Sequence, residues 1–263
     1  MKNILVPLAA SQNPQHTLQY AIDLAEVIKG NVYVLADYNV VSRAGSILKV
    51  EAIIERETKE YAKSFTEQVN RRDVQVITVT AKGNLNDLIG SLSKELDIDL
   101  VVVSSNSDIK NENYLGAVSG SIIKQMEVPA LIVPENYTFK VPKTILTAFR
   151  SGIMKRKWVL EPLKQLSRIF NAEVHLLFVK TPKHKEEDLL LNEDLKGLSE
   201  KLTTTENATT FQGVLEHFQV QKPEMLCVFR RKRGFFTKLW EKNIILKREF
   251  HCNVPVLVLR GKM

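Results

Sequence analysis

Val128-Pro129-Ala130-Leu131-Ile132-Val133 and Val254-Pro255-Val256-Leu257-Val258-Leu259 are two versions of one apolar run, and each closes one half of this chain. The halves also open alike, with Ile4-Leu5-Val6-Pro7 in the first and Ile145-Leu146-Thr147-Ala148 in the second. Between these runs, the other apolar stretches follow the same order in both halves. A period of roughly 130 residues is too long for a solenoid repeat and suits a domain. The sequence therefore predicts two similar domains in tandem.

The composition is typical of a globular protein. Hydrophobic residues make up 44% of the 263 residues, and charged residues make up 25%. No apolar run approaches the roughly 20 residues that are needed to span a bilayer. The start, Met1-Lys2-Asn3 followed at once by an apolar run, does not have the pattern of a signal peptide. We therefore expect a cytoplasmic protein that has no membrane partner.

The net charge of +7 is unevenly distributed between the halves. Residues 1–142 contain 14 Lys and Arg against 17 Asp and Glu, whereas residues 143–263 contain 23 against 13. A basic domain can bind nucleic acid, anionic lipid or an acidic partner, and its charge can also serve solubility alone. The charge by itself does not decide between these interpretations.

Strands and helices alternate along the first half. Runs rich in β-branched residues predict strands over 2–8, 32–37, 74–80, 98–103 and 129–133. Capping residues and helical spacing predict helices from Asn13-Pro14 to Gly30, over 50–70, over 84–96 and over about 116–126. Because parallel strands need crossover connections, this alternation predicts a parallel sheet with helices on both faces.

The second half has the same alternation of predicted strands and helices, in fewer residues. Helices are predicted near 154–170, 186–202, 209–220 and 236–250, with a short third strand over 203–207. Pro162 lies inside the first of these helices, where a proline predicts a bend or a late start. Cys227 and Cys252 lack a CxxC spacing, so we expect two buried free thiols.

The frame KNILVP at 2–7, with LVVVSS at 100–105 and LGAVSGSIIKQMEVPALIVP at 115–134, resembles the universal stress protein family. The tandem arrangement is similar to that of the two-domain members of this family. The resemblance implies an α/β fold of two tandem Rossmann-like (adenine nucleotide alpha hydrolase-like) domains, each with a five-stranded parallel sheet flanked by helices. The expected boundaries are 1–136 for the first domain, 137–142 for a linker and 143–263 for a second, divergent domain.

Many members of the family bind ATP at the carboxyl ends of the strands, the usual ligand edge of an open α/β sheet. Their pattern is Gly-x2-Gly, a loop, and then Gly-Ser/Thr-x-Ser/Thr at a helix start, where glycines let backbone N–H groups approach phosphate. In this chain, Ser104 and Ser107 stand at the positions of the first two glycines. Gly116 and Ser119 match the second part of the pattern, whereas Ala117 replaces its first hydroxyl residue.

Two further departures from the family pattern weaken the expected binding of a nucleotide. The acidic residue that the family uses to recognise adenosine falls on Ala9, and Asp108 and Glu112 in the following loop would repel a triphosphate. We therefore expect a residual nucleotide-type pocket and no bound cofactor, with ATP binding in the first domain left open as the alternative. The residues of this expected pocket are Leu8, Ala9, Ser104, Ser107, Gly116, Ala117 and Ser119.

The corresponding loop of the second half is basic and aromatic, Phe229-Arg230-Arg231-Lys232-Arg233-Gly234-Phe235-Phe236. Its phenylalanines would occupy the space that phosphates need. Arg230, Arg231, Lys232 and Arg233 are candidates for binding an anion, such as a phosphate, a nucleotide tail or an acidic protein surface. The other interpretation is a solvated loop that pairs internally with acidic residues. Nucleic acid is not an expected partner, because the aromatic residues near this loop suit packing better than base stacking.

Other chemistry is scarce in this sequence. The five histidines lack HxxxH or HExxH spacing, so no metal site is expected, and no GxSxG or GxxxxGK[ST] motif occurs. We predict a non-enzymatic stress-response protein whose domains pair across their last strands as an internal pseudo-dimer. Its protein partners are unknown, and a homodimer of whole chains stays open. The alternatives are an ATP-binding switch that uses the first domain only, and an anion or nucleic-acid adaptor that uses residues 230–233.

Overall fold

Strands and helices alternate through both halves of the chain. The computed structural model describes residues 1–40, 47–105, 112–154, 156–182, 184–199, 201–230, 244–247 and 250–260. The strands are β1 (Asn3–Pro7), β2 (Asn31–Tyr38), β3 (Val76–Lys82), β4 (Leu100–Ser105), β5 (Asn113–Leu115), β6 (Ala130–Pro134), β7 (Thr144–Phe149), β8 (Glu173–Lys180), β9 (Leu202–Glu206), β10 (Met225–Arg230), β11 (Ile245–Leu246) and β12 (Val256–Arg260). The helices are α1 (Pro14–Ile28), α2 (Ile47–Gln68), α3 (Leu85–Glu95), α4 (Ala117–Gln125), α5 (Glu161–Phe170), α6 (Glu193–Lys196) and α7 (Thr210–Gln221), with 3₁₀ turns at Leu8–Ala10, Lys157–Leu160 and Glu186–Leu189.

Ten of the strands form one sheet, in the order β3-β2-β1-β4-β6-β12-β10-β7-β8-β9. Within each half, all neighbouring strands of this sheet are parallel. The halves meet at the centre, where β6 and β12 pair antiparallel with Leu131 opposite Leu257. A separate antiparallel ribbon of β5 and β11 also joins the halves. The predicted fold class, α/β with tandem Rossmann-like five-stranded parallel sheets, is confirmed.

Apolar side chains form one layer on each face of the sheet, and each layer runs through both halves. One layer contains Leu131 of the first half and Leu257 of the second, and the other contains Ile132 and Val256. Each Å² of apolar surface removed from water is worth about 25 cal/mol. Because the layers are continuous across the centre, we expect this burial to couple the stability of the two halves.

The limits of α1 follow from its capping residues. The side-chain oxygen of Asn13 accepts a hydrogen bond from the backbone N–H of His16 at 3.2 Å, and Pro14 occupies the first helical position. The helix ends at Lys29, which has a left-handed backbone, and Gly30 follows. A Cβ on Gly30 would lie 2.3 Å from the carbonyl oxygen of Lys2, so only glycine fits between the starts of β1 and β2.

The prediction of one helix over 186–202 is wrong. The structure has a 3₁₀ turn at Glu186–Leu189 and the short α6 instead. The backbone N–H of Gly152 donates to the carbonyl of Asp188 at 2.8 Å, and the Gly152 carbonyl accepts from the N–H of Asn192 at 3.0 Å. These bonds tie the segment to a distant loop and compete with a continuous helical ladder, which the local sequence does not reveal.

Two other predictions for the second half have clear outcomes. Pro162 stands in the first turn of α5, which begins late at Glu161 after a 3₁₀ turn, as predicted. The predicted helix over 236–250 lies mainly outside the described residues, and within 244–247 it is wrong because β11 forms there. Cys227 and Cys252 are buried free thiols, which confirms that prediction.

The segment between β6 and β7 is held at its middle and at its C-terminal end. The ring of Phe139 packs edge-on against Tyr20 of α1, with 5.2 Å between ring centroids. The Glu224 carboxylate accepts a hydrogen bond from the backbone N–H of Lys143 at 2.6 Å and from the Lys140 ammonium at 3.4 Å. The Lys143 N–H, and to a lesser extent Lys140, hold the pKa of Glu224 below its usual value, against an opposing effect of burial.

We expect Glu224→Gln to lower the free energy of unfolding at neutral pH by roughly 0.5–1 kcal/mol, since a charge-assisted bond is weakened. The folded carboxyl has the lower pKa, so its contribution is present above the unfolded pKa of about 4.3 and is lost as the pH falls through the folded value. Thermal melts at about pH 7 and about pH 3 should therefore show a deficit that shrinks in acid. Glu206→Gln, at an exposed pair with Lys180, serves as the control and should change little. Equal deficits at both pH values would contradict this prediction.

Candidate functional site

The carboxyl ends of β1 and β4 meet the start of α4 at one edge of the sheet. The 3₁₀ turn Leu8–Ala10 follows β1, and Ser104 is the next-to-last residue of β4. The hydroxyl of Ser119 donates to the carbonyl of Ala10 at 2.8 Å, and the hydroxyl of Ser104 donates to the same carbonyl at 3.4 Å. The structure thus brings Ala10, Ser104 and Ser119 together as one buried cluster.

This cluster determines what the two serines can offer to a ligand. A hydroxyl has one proton to donate, and its remaining capacity is as an acceptor. Phosphate oxygens at neutral pH are themselves acceptors, so they need donors. Because Ser104 and Ser119 both donate to Ala10, their hydroxyls hold the turn after β1 against β4 and α4.

The start of α4 offers few side-chain contacts. Gly116 is the N-cap residue with φ −71°, and no side chain caps the helix. A Cβ on Gly116 would have no heavy atom of the described residues within 4 Å, so neither the backbone conformation nor crowding by these residues requires glycine there. Ala117 and Val118 follow with exposed apolar side chains. The backbone N–H groups of the first turn are therefore the polar feature that α4 presents at this edge.

A cavity of about 320 Å³ lies beside the cluster, at the carboxyl ends of β1 and β2. Burial raises the pKa of Asp37 above its usual value, against an opposing backbone hydrogen bond. Carboxyl groups such as Asp37 and Glu57 can accept hydroxyl or amine hydrogens, and in their ionised form they repel phosphate. The lining residues are Leu8, Ala9, Ala36, Asp37, Glu57, Thr58 and Tyr61.

The acidic lining of this cavity was not predicted from the sequence. Asp37 could have been found, because it is the next-to-last residue of β2 and the carboxyl ends of parallel strands share one edge. Glu57 gives no such signal, since it is one of many charged residues along α2. Leu8 and Ala9 do line the cavity, whereas Ser107 lies outside the described residues.

The second half anchors the segment that leads into α4. Leu115 of β5 pairs with Ile245 of β11, and the backbone N–H of Lys247 donates to the carbonyl of Glu112 at 2.7 Å. The buried ring of Tyr114 packs edge-on against Phe250, with 4.9 Å between centroids. The position of α4 at the site thus depends on contacts from both halves.

Arg230 is the described member of the basic group at 230–233, and it contacts the first half. It is the last residue of β10, and its guanidinium donates to the carbonyls of Lys124 and Met126 at the end of α4. The neighbouring Arg260 pairs with Glu127 at 2.7 Å. Burial, and then Arg260, lower the pKa of Arg230 to about 10, while Glu127 raises it, so the guanidinium is still charged at neutral pH.

This contact separates Arg230 from the rest of the basic group. Its donors are used by carbonyls at a helix end, where a cation also interacts favourably with the helix dipole. Arg231, Lys232 and Arg233 lie outside the described residues, so anion binding by these three stays a prediction.

The described residues contain neither a cluster of metal ligands nor a membrane-spanning helix. Among the described residues, no three or more His, Cys, Asp and Glu side chains are grouped so that they could hold a metal ion. No helix in the described part of the chain is both long enough and apolar enough to cross a bilayer.

Solved structures with similar folds cover nearly the whole chain. A universal stress protein from Archaeoglobus fulgidus DSM 4304 matches with a TM-score of 0.72 at 16% identity, over 98% of this chain and 98% of that one. A functionally unknown protein from Pseudomonas aeruginosa PAO1 matches with a TM-score of 0.59 at 13% identity, over 99% of this chain and 93% of the other. A putative universal stress protein from Pseudomonas aeruginosa UCBPP-PA14 has the same TM-score and identity, with coverages of 99% and 94%. At these identities the likeness concerns the fold alone.

Sequence comparison gives the family itself. No curated protein matches the chain significantly by sequence. The model of the Universal stress protein family matches residues 1–134, which include β1 to β6, α4 and the serine cluster. This match extends over half of the chain, and the chain therefore belongs to the universal stress protein family.

Proposed function

We propose that this protein is a non-enzymatic stress-response protein that acts by binding other proteins, with little or no binding of ATP. The observation that carries this proposal is the use of the Ser104 and Ser119 hydroxyls by the carbonyl of Ala10. With these donors occupied, the groups among the described residues of this edge that could still hold a triphosphate are the backbone N–H groups at the start of α4.

The charges around the cavity support the same proposal. Asp37 and Glu57 face the space beside Ala9, and no lysine or arginine is among the described residues that line it. A triphosphate needs cationic or donor groups to replace its hydration. The cavity is lined by carboxyl groups, and the first two residues of α4 beside it have no polar side chains. The site therefore supplies few of the cationic or donor groups that a triphosphate needs.

We further propose that the chain consists of a first domain over 1–136, a linker over 137–142 and a second, divergent domain over 143–263. The two domains would form an internal pseudo-dimer in the cytoplasm. The antiparallel pairing of β6 with β12 and of β5 with β11 supports this arrangement, because each half contributes equivalent strands to both contacts. Protein partners would then bind the outer surfaces of the pair, and a homodimer of whole chains stays open.

A second candidate function is an ATP-binding switch that uses the first domain only. The 320 Å³ cavity favours it, because this cavity lies at the carboxyl ends of β1 and β2, where open α/β sheets usually bind ligands. In this alternative, the Asp37 carboxyl would accept hydrogen bonds from the ribose hydroxyls. It would thereby substitute for the acidic residue of the family, whose position is occupied by Ala9 in this chain.

Isothermal titration of the whole chain with ATP and Mg²⁺ tests the choice. We expect no saturable heat at millimolar ATP, because the serine donors are occupied and the cavity is acidic. Micromolar binding that is lost in Gly116→Trp would favour the switch instead. The indole would fill the space in front of α4, where a Cβ meets no atom of the part of the chain that the structure describes.

A variant that restores the missing groups provides the positive control. Ala9→Asp combined with Ala117→Ser returns the acid and the hydroxyl of the family pattern at two exposed positions. We expect this double variant to bind ATP about tenfold more tightly than the parent chain, which corresponds to about 1.4 kcal/mol. A parent chain that already binds as tightly as the double variant would contradict the proposal.

A further inference from the structure

The two halves differ in the length of one connection. In each half, this segment leads from the strand in the β5–β11 ribbon to the last strand that the half contributes to the main sheet. In the first half, residues 116–129 connect β5 to β6 and include the nine-residue α4. In the second half, only residues 247–255 connect β11 to β12. This shorter connection leaves no room for a helix as long as α4 together with the turns at its ends.

Among the described residues of the second half, no helix covers the surface that corresponds to the one under α4. In the first half, Ile122 and Ile123 of α4 are buried in the same apolar layer as Val101 of β4. The corresponding residue of β10 is Leu226, since Val101 pairs with Ala130 of β6 and Leu226 pairs with Val256 of β12. Leu226 lines a cavity of about 480 Å³, so this cavity lies where α4 would lie in the first half.

The lining of this cavity is largely apolar, and most of it comes from α7 and from the segment before β12. Phe211, Val214 and Phe218 line it from α7, and Phe250 and Cys252 line it from the segment before β12. The rings of Phe211 and Phe250 contact each other with 5.2 Å between centroids, which fixes one end of the wall. A volume of this size and an aromatic lining are typical of sites for small organic ligands, which occupy about 300–1,000 Å³.

A cation stands at the edge of the cavity. Lys222 caps α7 with a left-handed backbone of φ 43°, and its exposed side chain has no ion-pair partner among the described residues. The other charges of the lining, Lys140 and Glu224, pair with each other at 3.4 Å. An apolar cavity with one uncompensated ammonium at its edge suits an apolar ligand that carries one negative charge.

We propose that this cavity binds a small amphipathic carboxylate, such as a medium-chain fatty acid or an aromatic carboxylate. The apolar body lies against Phe211, Phe218 and Phe250, and the carboxylate lies at the edge beside Lys222. Both ligand types share one chemistry, an apolar body that ends in a carboxylate. The site is separate from the cavity beside Ala9, so it does not depend on whether the chain binds ATP.

Titration of the whole chain with decanoate and, separately, with 2-naphthoate tests the proposal and distinguishes the two ligand types. We expect saturable binding of at least one of them. Decanol, which lacks the charge, should bind about tenfold more weakly than decanoate. Lys222→Glu should weaken decanoate binding about tenfold or more, because it places a like charge beside the carboxylate.

Lys29→Glu is the matched control for the charge reversal. Lys29 caps α1 with a left-handed backbone of φ 54°, is also exposed and does not line the cavity, so this variant should bind decanoate as the parent does. Leu215→Trp, at a lining position that is 41% exposed, should abolish binding by filling the cavity while leaving the circular dichroism spectrum unchanged.

The two cysteines give a second readout of occupancy. Burial raises the pKa of Cys252 to about 12, and this thiol lines the cavity, whereas the buried Cys227 does not. Decanoate should slow the modification of Cys252 by a small neutral thiol reagent and leave that of Cys227 unchanged. Absence of saturable binding by both carboxylates would overturn the proposal, and so would binding that Leu215→Trp and Lys222→Glu leave intact.

Discussion

Leu257→Ala is expected to destabilise both halves of the protein together, by about 2–5 kcal/mol. Leu257 is the second residue of β12, is fully buried and faces Leu131 across the antiparallel pair at the centre of the sheet. Removing its side chain leaves a cavity in an apolar layer that both halves share, and close-packed neighbours collapse only partly into such a cavity.

Urea unfolding followed by circular dichroism measures this loss, and hydrogen exchange locates it. We expect a single transition at a lower midpoint, with faster exchange in β1 and β2 of the first half as well as in β7 and β8 of the second. Leu202→Ala is the control, because Leu202 lies on the edge strand β9 and is 44% exposed; it should change the free energy of unfolding by about 0.5 kcal/mol or less. Two separate transitions, with only the second one shifted, would contradict the coupling.

The sheet could be predicted from the sequence because its strands are encoded locally. Runs such as residues 100–103 of β4 and 130–133 of β6 are apolar at every position, which is typical of strands buried on both faces. The caps of α1 are equally local, since Asn13, Pro14 and Gly30 are adjacent to the helix that they limit. Where neighbouring residues carry the signal for an element, the sequence alone predicts that element.

The elements that could not be predicted depend on partners that are distant along the chain. The ribbon of β5 and β11 contains only three and two residues, too few for a recognisable pattern, and each strand is formed by the presence of the other. The segment 186–202 does not form one helix, because Gly152 forms backbone hydrogen bonds with residues of this segment. Such bonds are visible only after the chain has folded.

The same distinction applies to the candidate site. The sequence shows that Ser104 and Ser119 keep hydroxyl groups, but it does not show that both donate to the carbonyl of Ala10. It also groups Arg230 with the three basic residues that follow. The structure places Arg230 at the end of β10, beside the end of α4, where carbonyl acceptors are available.

Arg230→Met should lower the free energy of unfolding by about 2–4 kcal/mol, because hydrogen bonds to charged groups contribute about 1.5–3 kcal/mol each and the methionine retains part of the apolar stem. The change leaves the carbonyls of Lys124 and Met126 without their arginine donor at a partly buried position. Arg230→Lys should recover only part of the loss, since an ammonium cannot reproduce the fork of a guanidinium.

Urea unfolding again measures the loss, with Arg168→Met as the control, because Arg168 is an exposed arginine in the last turn of α5. The more specific readout is hydrogen exchange in α4. Arg230 belongs to β10 of the second half, whereas α4 belongs to the first, so faster exchange in α4 on changing Arg230 would reveal an interaction between the halves. If Arg230→Met is no less stable than Arg168→Met and α4 exchanges at its original rate, then the arginine does not hold the end of this helix. If α4 does exchange faster, the helix that forms one wall of the serine cluster is held in place by the other half, and a mutation in the second half can alter the candidate site of the first without touching it.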